Sequence, residues 1–303
     1  MNEKISITVI MSTYNGAKTI KRQIDSILSQ KGVDITLYVR DDGSNDNTIG
    51  ILNDYARKYS NIIINLGSNI GWERSFLCAL KDAPPADYYA FSDQDDLWMD
   101  DKLVSGVKML EPLSSDIPLM YHCNKISTWE NLRTMRHQIR RIPQPLNHEN
   151  AMIQEYAQGC SIILNNMARN LISKYSPKKK LAHDFWCGLI CYLFGKVIYD
   201  NRKHFYHISY GSNASGEGHM IKSWQSRLKK ILESKEVYYS PCQDLLDGYR
   251  TRLSDDDVIF CEKVLKYKQN ISDKIYLLFS PMFIRDSFLG TLSLKVSILL
   301  NKL

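Results

Sequence analysis

Short apolar runs and helical repeats alternate through the first hundred residues of the chain. Residues 5–11 (ISITVIM) form a continuous apolar run, which is typical of a strand buried on both faces. Apolar residues then recur at helical spacing, at Ile20, Ile24, Ile27 and Leu28. Asn15 is predicted to cap this helix and Gly32 lies just beyond its end. The pattern predicts one strand–helix unit.

The same alternation continues to about residue 100. Strands are predicted at 35–40, 62–66 and 87–91, and a helix marked by Leu52, Tyr55, Ala56 and Tyr59 follows the first of these. Strands that alternate with helices predict an α/β fold, with a mostly parallel sheet and helices on both faces.

The pattern loosens after about residue 115. Strands are predicted at 117–123 and 160–165, with an Arg-rich, Pro-containing connection at 133–147 that we expect to be a mobile loop. Residues 181–194 are predicted to form a buried helix, and the chain becomes helical and basic beyond Gly216.

Composition narrows the class of protein. The 303 residues are 44% hydrophobic and 24% charged, which excludes a disordered or collagen-like chain. The net charge of +6 is mild, so no nucleic-acid partner is expected. The seven cysteines are odd in number and contain no C-x-x-C, which favours a reducing, cytoplasmic location. Neither a signal peptide nor a transmembrane helix is expected, because charged residues interrupt the apolar stretches.

Three polar clusters directly follow three predicted strands. They are Ser12–Asn15 after the first strand, Asp41–Ser44 after the second and Asp93–Asp96 after the fourth. Ligands of open parallel sheets bind at the carboxyl ends of the strands, so we expect the clusters to meet there. Taken singly, each cluster also fits an ordinary loop or helix cap.

The third cluster is rich in negative charge. Three carboxylates within Asp93–Asp96 repel one another unless a cation or a proton intervenes. Oxygen ligands favour Mg²⁺ or Mn²⁺, and such an ion commonly shares its coordination with substrate phosphates. The cluster therefore suggests a diphosphate ligand.

Six motifs in this order and spacing carry a resemblance to a known family. They are STYNG at 12–16, RDDGSNDNT at 40–48, NIGWERSF at 69–76, FSDQDDLW at 91–98, GCSIILNN at 159–166 and HDFW at 183–186. Over residues 4–215 the chain resembles the inverting nucleotide-sugar glycosyltransferases of family two, which have the GT-A fold. FSDQDDLW and HDFW further resemble the bacterial branch that builds O-antigens, capsules and rhamnose-containing polysaccharides.

The resemblance implies how the donor nucleotide would be held. Ser12, Tyr14 and Asn15 would bind the nucleobase and ribose, with the Tyr14 ring stacking on the base. Asp42 matches the acidic residue that accepts the imide hydrogen of the base. The implied donor is a UDP-sugar or dTDP-rhamnose.

The resemblance also implies the reacting groups. Asp93 would face the ribose or donor sugar, and Asp95 would bind the Mn²⁺ or Mg²⁺ that bridges the donor phosphates. Asp184 matches the family's catalytic base. One base without an enzyme nucleophile implies a single displacement and therefore inversion.

Four of the candidate site residues, Asp184, His183, Trp98 and Trp186, also have a purely structural interpretation. Asp184 could cap its helix, and His183 could be a buried structural histidine. Trp98 and Trp186 either border the donor and acceptor pockets or belong to the core. His183, Cys187 and Cys191 share a helical face, but core packing explains them better than zinc.

The chain departs from the family near residue 210. Many relatives carry Tyr-Arg-Gln-His-Gly-x-Asn, whereas residues 207–213 read HISYGSN, so the usual Arg and His are missing. His204, His207 or Lys178 to Lys180 are the candidates to replace them in binding donor phosphates. Ser75 stands where relatives often have Asn.

The C-terminal segment is predicted to be a helical extension over 216–303, after a catalytic domain at 1–215. Apolar residues at 281–303 fall mostly on one side of a helix, namely Phe283, Phe288, Leu289, Leu292, Val296, Leu299 and Leu300. The basic residues Lys222, Arg227, Lys229 and Lys230 precede them. Contact with an inner-membrane surface and packing on the protein or in a homodimer both fit this pattern. The family resemblance implies a lipid-linked oligosaccharide acceptor.

Two other functions compete with a metal-dependent glycosyltransferase. A phosphohydrolase of the haloacid dehalogenase type would use the D-x-D turn, but its motif requires Thr or Val at position 97, where this chain has Leu97. A non-catalytic glycan-binding or sugar-nucleotide-binding module would have no need of Asp184. Nicotinamide and P-loop enzymes are excluded, because their glycine motifs are absent from the sequence.

Overall fold

The structure is a computed structural model that describes residues 4–135, 142–179, 181–210 and 239–303. Three features singled out above lie wholly or partly outside these ranges. They are the middle of the 133–147 connection, the end of the 207–213 run with Lys180, and the basic residues Lys222, Arg227, Lys229 and Lys230.

One eight-stranded sheet organises the first two hundred residues. Its strands are β1 Ser6–Thr13, β2 Asp34–Asp41, β3 Ile62–Leu66, β4 Tyr88–Ser92, β5 Leu97–Trp98, β6 Leu119–Trp129, β7 Ile163–Asn165 and β8 Lys196–Ser209. Their order is β3-β2-β1-β4-β7-β6-β8-β5. The β3-β2-β1-β4 half is parallel, β7 is antiparallel to both neighbours, β6 and β8 are parallel, and β5 is antiparallel to β8.

Helices connect and follow these strands. Their bounds are α1 Ile20–Leu28, α2 Thr48–Lys58, α3 Trp72–Asp82, α4 Lys102–Leu110, α5 His148–Ala151, α6 Asn166–Ile172, α7 His183–Phe194, α8 Tyr239–Tyr249, α9 Asp255–Lys266, α10 Ile271–Phe279 and α11 Phe288–Leu299. In these ranges no helix has both the length and the apolar character needed to cross a bilayer. The predicted α/β architecture with a mostly parallel sheet is confirmed.

The first strand lies inside the sheet because its side chains are apolar on both faces. β1 pairs with β2 on one side and β4 on the other, and nearly all of its residues are buried. Ile20, Ile24 and Ile27 of α1 are fully buried at the predicted spacing. The sequence period therefore identified both the strand and the inward face of its helix.

Two local predictions are wrong. Asn15 does not cap α1: the capping position is Thr19, while Asn15 adopts a left-handed backbone (φ 49°) in the preceding loop. Residues 160–165 are not one strand, because Gly159–Ser161 form a 3-10 turn before β7 begins at Ile163. The Ser161 hydroxyl donates to the Gln158 carbonyl oxygen at 2.6 Å, which holds this turn.

The buried helix predicted at 181–194 is confirmed as α7. It ends at Phe194, and a Cβ atom at the next residue, Gly195, would lie against the carbonyl oxygen of Pro118. A backbone neighbour cannot move aside as a flexible side chain can, so this position requires glycine.

We expect Gly195→Ala to destabilise the protein by about 1–3 kcal/mol, the usual cost of overpacking. Gly50→Ala in α2 is the matched control, because its Cβ would meet only the end of the Asn47 side chain. Alanine also favours a helix interior over glycine. Thermal unfolding of both variants tests this: equal melting temperatures would contradict the steric argument.

The chain divides into two compact units. Unit 1 comprises Met1–Pro143, Ala157–Ser176 and Lys180–Ser212, and it contains the sheet. Unit 2 comprises Gln144–Tyr156, Pro177–Lys179 and Asn213–Leu303, and α8 to α11 belong to it. Unit 2 thus takes two short segments from the first 180 residues, which the sequence pattern did not predict.

The apolar C-terminal segment is not one continuous helix. The last helix begins at Phe288, where the Ser287 hydroxyl accepts the Gly290 backbone N–H at 3.2 Å. Phe283 lies before this helix and is fully buried against Phe260, with ring centroids 5.2 Å apart. The prediction that Phe283 shares the face of Phe288 is therefore wrong, since Ser287 starts a new helix between them.

Candidate functional site

The loops after β1 and β2 are tied together at the carboxyl end of the sheet. The backbone N–H of Asn15 donates to the Ser44 hydroxyl at 2.9 Å, and the Asn15 side-chain oxygen accepts the Asn45 N–H at 2.8 Å. Asp41 is buried and accepts the Thr13 hydroxyl at 2.9 Å and the Ser44 hydroxyl at 2.6 Å. Asn15 therefore connects two loops rather than starting a helix.

The third cluster is joined to the first through Gln94. Its side chain accepts the Tyr14 N–H at 3.0 Å and donates to the Tyr14 carbonyl oxygen at 3.1 Å. A Cβ atom at Gly16 would collide with the same amide. These contacts confirm that the three clusters converge, and they give the middle residue of the D-x-D turn a structural role.

Asp42 is held in a buried network at the end of β2. Its carboxylate is paired with Arg40 and accepts the backbone N–H groups of Ile70 at 3.1 Å and Gly71 at 3.0 Å. The side chain therefore fixes the loop that precedes α3. Three N–H donors thus already contact the two oxygens of Asp42, which is almost fully buried.

Ser12 extends this network from β1. The hydroxyls of Ser12 and Ser75 lie 2.6 Å apart, and Arg40 donates to Ser75 at 3.0 Å. Ser75 thus links the ends of β1 and β2 through Arg40. Tyr14 and Asn15 are the exposed members of the first cluster, and 44% of the Tyr14 surface is accessible.

The acidic turn after β4 concentrates negative charge. Asp93 and Asp95 are half-buried and Asp96 is fully buried. Burial, reinforced by the charges of Asp96 and Asp95, raises the pKa of Asp93 to about 8. Burial and the charge of Asp96 raise the pKa of Asp95 to about 6. The turn therefore favours binding of a proton or a cation.

His207 is the partner of Asp96. Its Nδ1 lies 2.9 Å from an Asp96 carboxylate oxygen, and the second Asp96 oxygen has no hydrogen-bond partner among the described residues. Burial opposes protonation of His207, but the hydrogen bond and charge of Asp96 raise its pKa. Of the residues proposed to replace the missing Arg and His, His207 lies beside the acidic turn.

Two of the other proposed replacements, His204 and Lys178, are engaged elsewhere. His204 contacts Asp101 and Asp200, each at 3.2 Å, and Lys178 pairs with Asp247 at 2.6 Å.

Arg22 and Tyr210 contact the backbone of the acidic turn, and sequence reasoning missed both contacts. The Arg22 guanidinium donates to the Asp95 carbonyl oxygen at 3.3 Å, and the Tyr210 hydroxyl donates to it at 3.2 Å. Arg22 also donates to Tyr210. Its positive charge partly offsets the rise in the pKa of Asp95 that burial causes.

Asp184 occupies the first turn of α7 and is nearly buried. One carboxylate oxygen accepts the Gly159 N–H at 3.1 Å, while the capping position of α7 is Ala182. Asp184 is therefore not the cap of its helix. The negative charge of Asp184 also contributes slightly to the raised pKa of Asp93.

His183 packs among aromatic rings. Its imidazole stacks on Phe76 with centroids 4.0 Å apart and meets the edge of Phe91 at 4.8 Å. Trp98 and Trp186 are also buried, and the Lys102 Nζ lies 3.6 Å from the centre of the Trp98 ring. These environments favour the core-packing alternative for all three residues.

A zinc group at His183, Cys187 and Cys191 does not form within the described ranges. Among the described residues, a different group of potential metal ligands does cluster. It consists of Asp96, Cys160 and His207, whose ligand atoms lie within 4.8 Å of one another. The Asp96–His207 hydrogen bond accounts for two of these three groups.

Comparison with known proteins identifies relatives of this chain. A family model described as glycosyl transferase family 2 matches residues 8–169. A dTDP-rhamnosyl transferase, RfbG of Shigella flexneri, is 38% identical over 105 residues, which cover 33% of this chain and 36% of that protein. The UDP-Glc:alpha-D-GlcNAc-diphosphoundecaprenol beta-1,3-glucosyltransferase WfgD of Escherichia coli is 32% identical over 115 residues, covering 38% and 44%. The matches thus span less than half the length of these relatives.

Solved structures share the fold at low sequence identity. TarS of S. aureus in complex with UDP-GlcNAc has a TM-score of 0.59 at 16% identity, over 91% of this chain and 76% of that one. The mannosyltransferase PcManGT of Pyrobaculum calidifontis, in complex with GDP-Man and Mn²⁺, has a TM-score of 0.55 at 15% identity, over 99% and 88%.

Proposed function

Because the chain belongs to glycosyl transferase family 2 and has the GT-A fold, we propose that it transfers a sugar from a nucleoside-diphosphate donor to a hydroxyl group of a cell-surface polysaccharide precursor. The observation that carries this proposal is the convergence of three loops with the Asp93–Asp95 turn, which Asp184 influences electrostatically. In this proposal residues 1–215 are the catalytic domain and residues 216–303 are the extension.

The proposed nucleotide site lies at the ends of β1 and β2. Tyr14 offers an exposed ring on which a base can stack, and Asp42 offers an acceptor for the imide N–H of uracil or thymine. Ser12 and Asn15 hold the loops on either side of this position. Both UDP and dTDP carry the required imide group.

The acidic turn fits a divalent cation. Its carboxylates are oxygen ligands, and their raised pKa values express a repulsion that positive charge would relieve. Asp95 would hold Mn²⁺ or Mg²⁺, with Asp93 directed to the ribose or donor sugar. When bound, such an ion supplies positive charge to the leaving diphosphate.

Asp184 is the proposed general base. One of its carboxylate oxygens accepts the Gly159 N–H, so the side chain is oriented before substrate binds. It would accept the proton of the acceptor hydroxyl as that oxygen attacks the anomeric carbon. One displacement inverts the configuration at that carbon.

The relatives suggest the classes of substrate. RfbG is named for dTDP-rhamnose and WfgD for UDP-Glc and a diphosphoundecaprenol acceptor. We therefore propose a UDP-sugar or dTDP-rhamnose donor and a lipid-linked acceptor at the cytoplasmic face of the membrane.

The first experiment is a calorimetric titration of UDP and dTDP into the full chain, with Mn²⁺ and then with EDTA. We expect one of the nucleotides to bind only with the metal. Tyr14→Ala should weaken that binding by about tenfold, since base stacking contributes roughly 1–3 kcal/mol. Tyr14→Phe keeps the ring and should bind as the wild type does.

Trp129→Ala is the surface control, because Trp129 has a similar exposed fraction, 49%, on β6. A Tyr14→Ala variant with wild-type affinity would contradict the stacking role. Failure of both nucleotides to bind, together with absence of transfer, would favour a glycan-binding module instead.

A further inference from the structure

Trp72 is an exposed aromatic residue that lies between two parts of the candidate site. It is the first residue of α3, and 48% of its surface is accessible. Among the described residues of unit 1, the other exposed Phe, Tyr and Trp side chains are Tyr14 and Trp129. Aromatic rings beside a few convergent polar groups are typical of small-molecule sites, so the surroundings of Trp72 decide whether its ring belongs to one.

The backbone before Trp72 is held by the proposed nucleotide site. Gly71 has a positive φ of 87°, and its N–H donates to Asp42 at 3.0 Å. The Gly71 carbonyl oxygen accepts the Ser75 N–H at 2.9 Å, in the first turn of α3. These contacts fix where α3 begins, and they therefore fix the Trp72 backbone relative to Asp42.

The Trp72 ring contacts His183, the residue before the proposed base. The two ring centroids are 6.0 Å apart and the ring planes are nearly perpendicular. His183 also lies against Gly159, where a Cβ atom would collide with its imidazole. The Gly159 N–H donates to the Asp184 carboxylate at 3.1 Å. Trp72 is thus linked to Asp184 by successive contacts through His183 and Gly159.

Other rings already pack His183 in place. Phe76, one turn after Trp72 on α3, is buried and stacks on the imidazole with centroids 4.0 Å apart. Phe91 of β4 meets it at 4.8 Å. Trp72 therefore borders a rigid aromatic cluster while about half of its own surface stays in solvent. A ring that is held in place before a ligand arrives loses little conformational entropy on binding.

The tryptophans that the sequence suggested as borders of the pockets cannot take this role. Trp98 and Trp186 are buried, so neither presents a ring face to a substrate. Trp72 combines exposure with a chain of contacts to Asp184.

A sugar ring has the chemistry to pack on Trp72. The C–H groups on one side of a pyranose form an apolar face that complements the negative face of an indole ring, and the hydroxyl groups stay free for polar partners. The nucleobase already has an exposed ring in Tyr14. The substrate group that must reach a general base is the attacking hydroxyl, so a ring linked to Asp184 suits the acceptor.

We infer that Trp72 is a binding residue for the acceptor and packs against the pyranose ring whose hydroxyl group Asp184 deprotonates. This inference rests on the proposed function and deepens it, because it names the surface that the acceptor sugar contacts. The ring would set which pyranoses bind, since a sugar with an axial hydroxyl on the packed face presents a smaller apolar area.

The test is NMR observation of the indole N–H signals in the full chain labelled with ¹⁵N-tryptophan. The chain has five tryptophans, and Trp72→Phe and Trp129→Phe identify two of the signals by deleting them. Methyl glycosides of glucose, N-acetylglucosamine, galactose, mannose and rhamnose are titrated in with Mn²⁺ and UDP or dTDP present. We expect at least one glycoside to shift the Trp72 signal saturably and to leave the Trp129 signal unchanged.

Two substitutions separate stacking on a sugar from packing on His183. Trp72→Phe keeps a flat ring, whereas Trp72→Leu keeps apolar bulk without one. In saturation-transfer titrations Trp72→Leu should weaken glycoside binding by about tenfold, and Trp72→Phe by less than about threefold. Trp129→Leu is the matched control, because Trp129 is 49% exposed on β6, and it should bind as the wild type does.

The inference is wrong if no glycoside moves the Trp72 signal, or if Trp72→Leu and Trp72→Phe bind the glycoside equally well. A Trp72 signal that moves with a UDP-sugar or dTDP-rhamnose, and with no glycoside, would give the ring to the donor instead. Titration of UDP and dTDP alone is read separately. Normal nucleotide affinity with an unmoved Trp72 signal rejects the acceptor surface and leaves the proposed function standing, whereas failure of the nucleotides to bind counts against the proposed function itself.

Discussion

Asp184→Asn is expected to lower kcat for sugar transfer by about a thousandfold, within the range that general base catalysis contributes. Asparagine has nearly the same shape, and its side-chain oxygen can still accept the Gly159 N–H. It cannot take the proton of an attacking hydroxyl. Chemistry should therefore be lost while the fold and the nucleotide site are kept.

Two measurements separate this role from a structural one. Steady-state transfer should fall, whereas calorimetric affinity for the donor nucleotide should change by less than about twofold. Asp255→Asn is the matched control, since Asp255 also occupies the first turn of a helix and is exposed on α9. Wild-type transfer by Asp184→Asn would remove Asp184 as the base and make its contact with Gly159 its main function.

Asp95→Asn is expected to abolish metal-dependent nucleotide binding and to reduce transfer by at least a hundredfold. A neutral amide is a weaker ligand for a hard cation than a carboxylate, so the ion would bind poorly at this turn. Titration of Mn²⁺ and nucleotide into the variant measures this loss. Asp100→Asn is the control, because Asp100 is exposed nearby and paired with Lys31 at 2.5 Å.

The raised pKa values give the metal site a pH dependence of defined sign. The pKa of Asp93 is about 8, so at pH 7 this side chain carries a proton when no cation is present. Binding of a cation favours the ionised form and should release about one proton at pH 7. Metal affinity should therefore fall as the pH is lowered from 8.

Calorimetry in buffers of different ionisation enthalpy measures that proton release. Unchanged Mn²⁺ affinity in Asp95→Asn, or binding without proton release in the wild type, would argue against cation binding at the Asp93–Asp95 turn.

The segment at 281–303 shows what sequence periodicity could not predict. Helical periodicity identified apolar residues at 281–303, but it placed Phe283 and Phe288 on one face. In the structure Phe283 is in the core and Phe288 is almost fully exposed, because Ser287 begins a new helix between them. Periodicity shows that a face is apolar and does not show what covers it.

The sequence by itself determined the parallel half of the sheet, β1 to β4, and the end of it at which the polar clusters lie, whereas β5 and β8 were not predicted. Apolar runs such as residues 5–11 are stable only when buried on both faces, and parallel strands bring their carboxyl ends to one edge. The positions of the polar clusters around Tyr14, Asp42 and Asp93 therefore followed from local pattern alone.

Only the tertiary structure decided how those clusters hold one another. Gln94 forms hydrogen bonds with Tyr14, which is 80 positions away in the sequence. His207 forms a hydrogen bond with Asp96, which is 111 positions away. Asn15, expected to cap a helix, instead bridges two loops. Such hydrogen bonds depend on distances between residues remote in the chain, which composition and spacing do not encode. The fold class was thus local information, whereas the partners of each side chain in the site were set by packing.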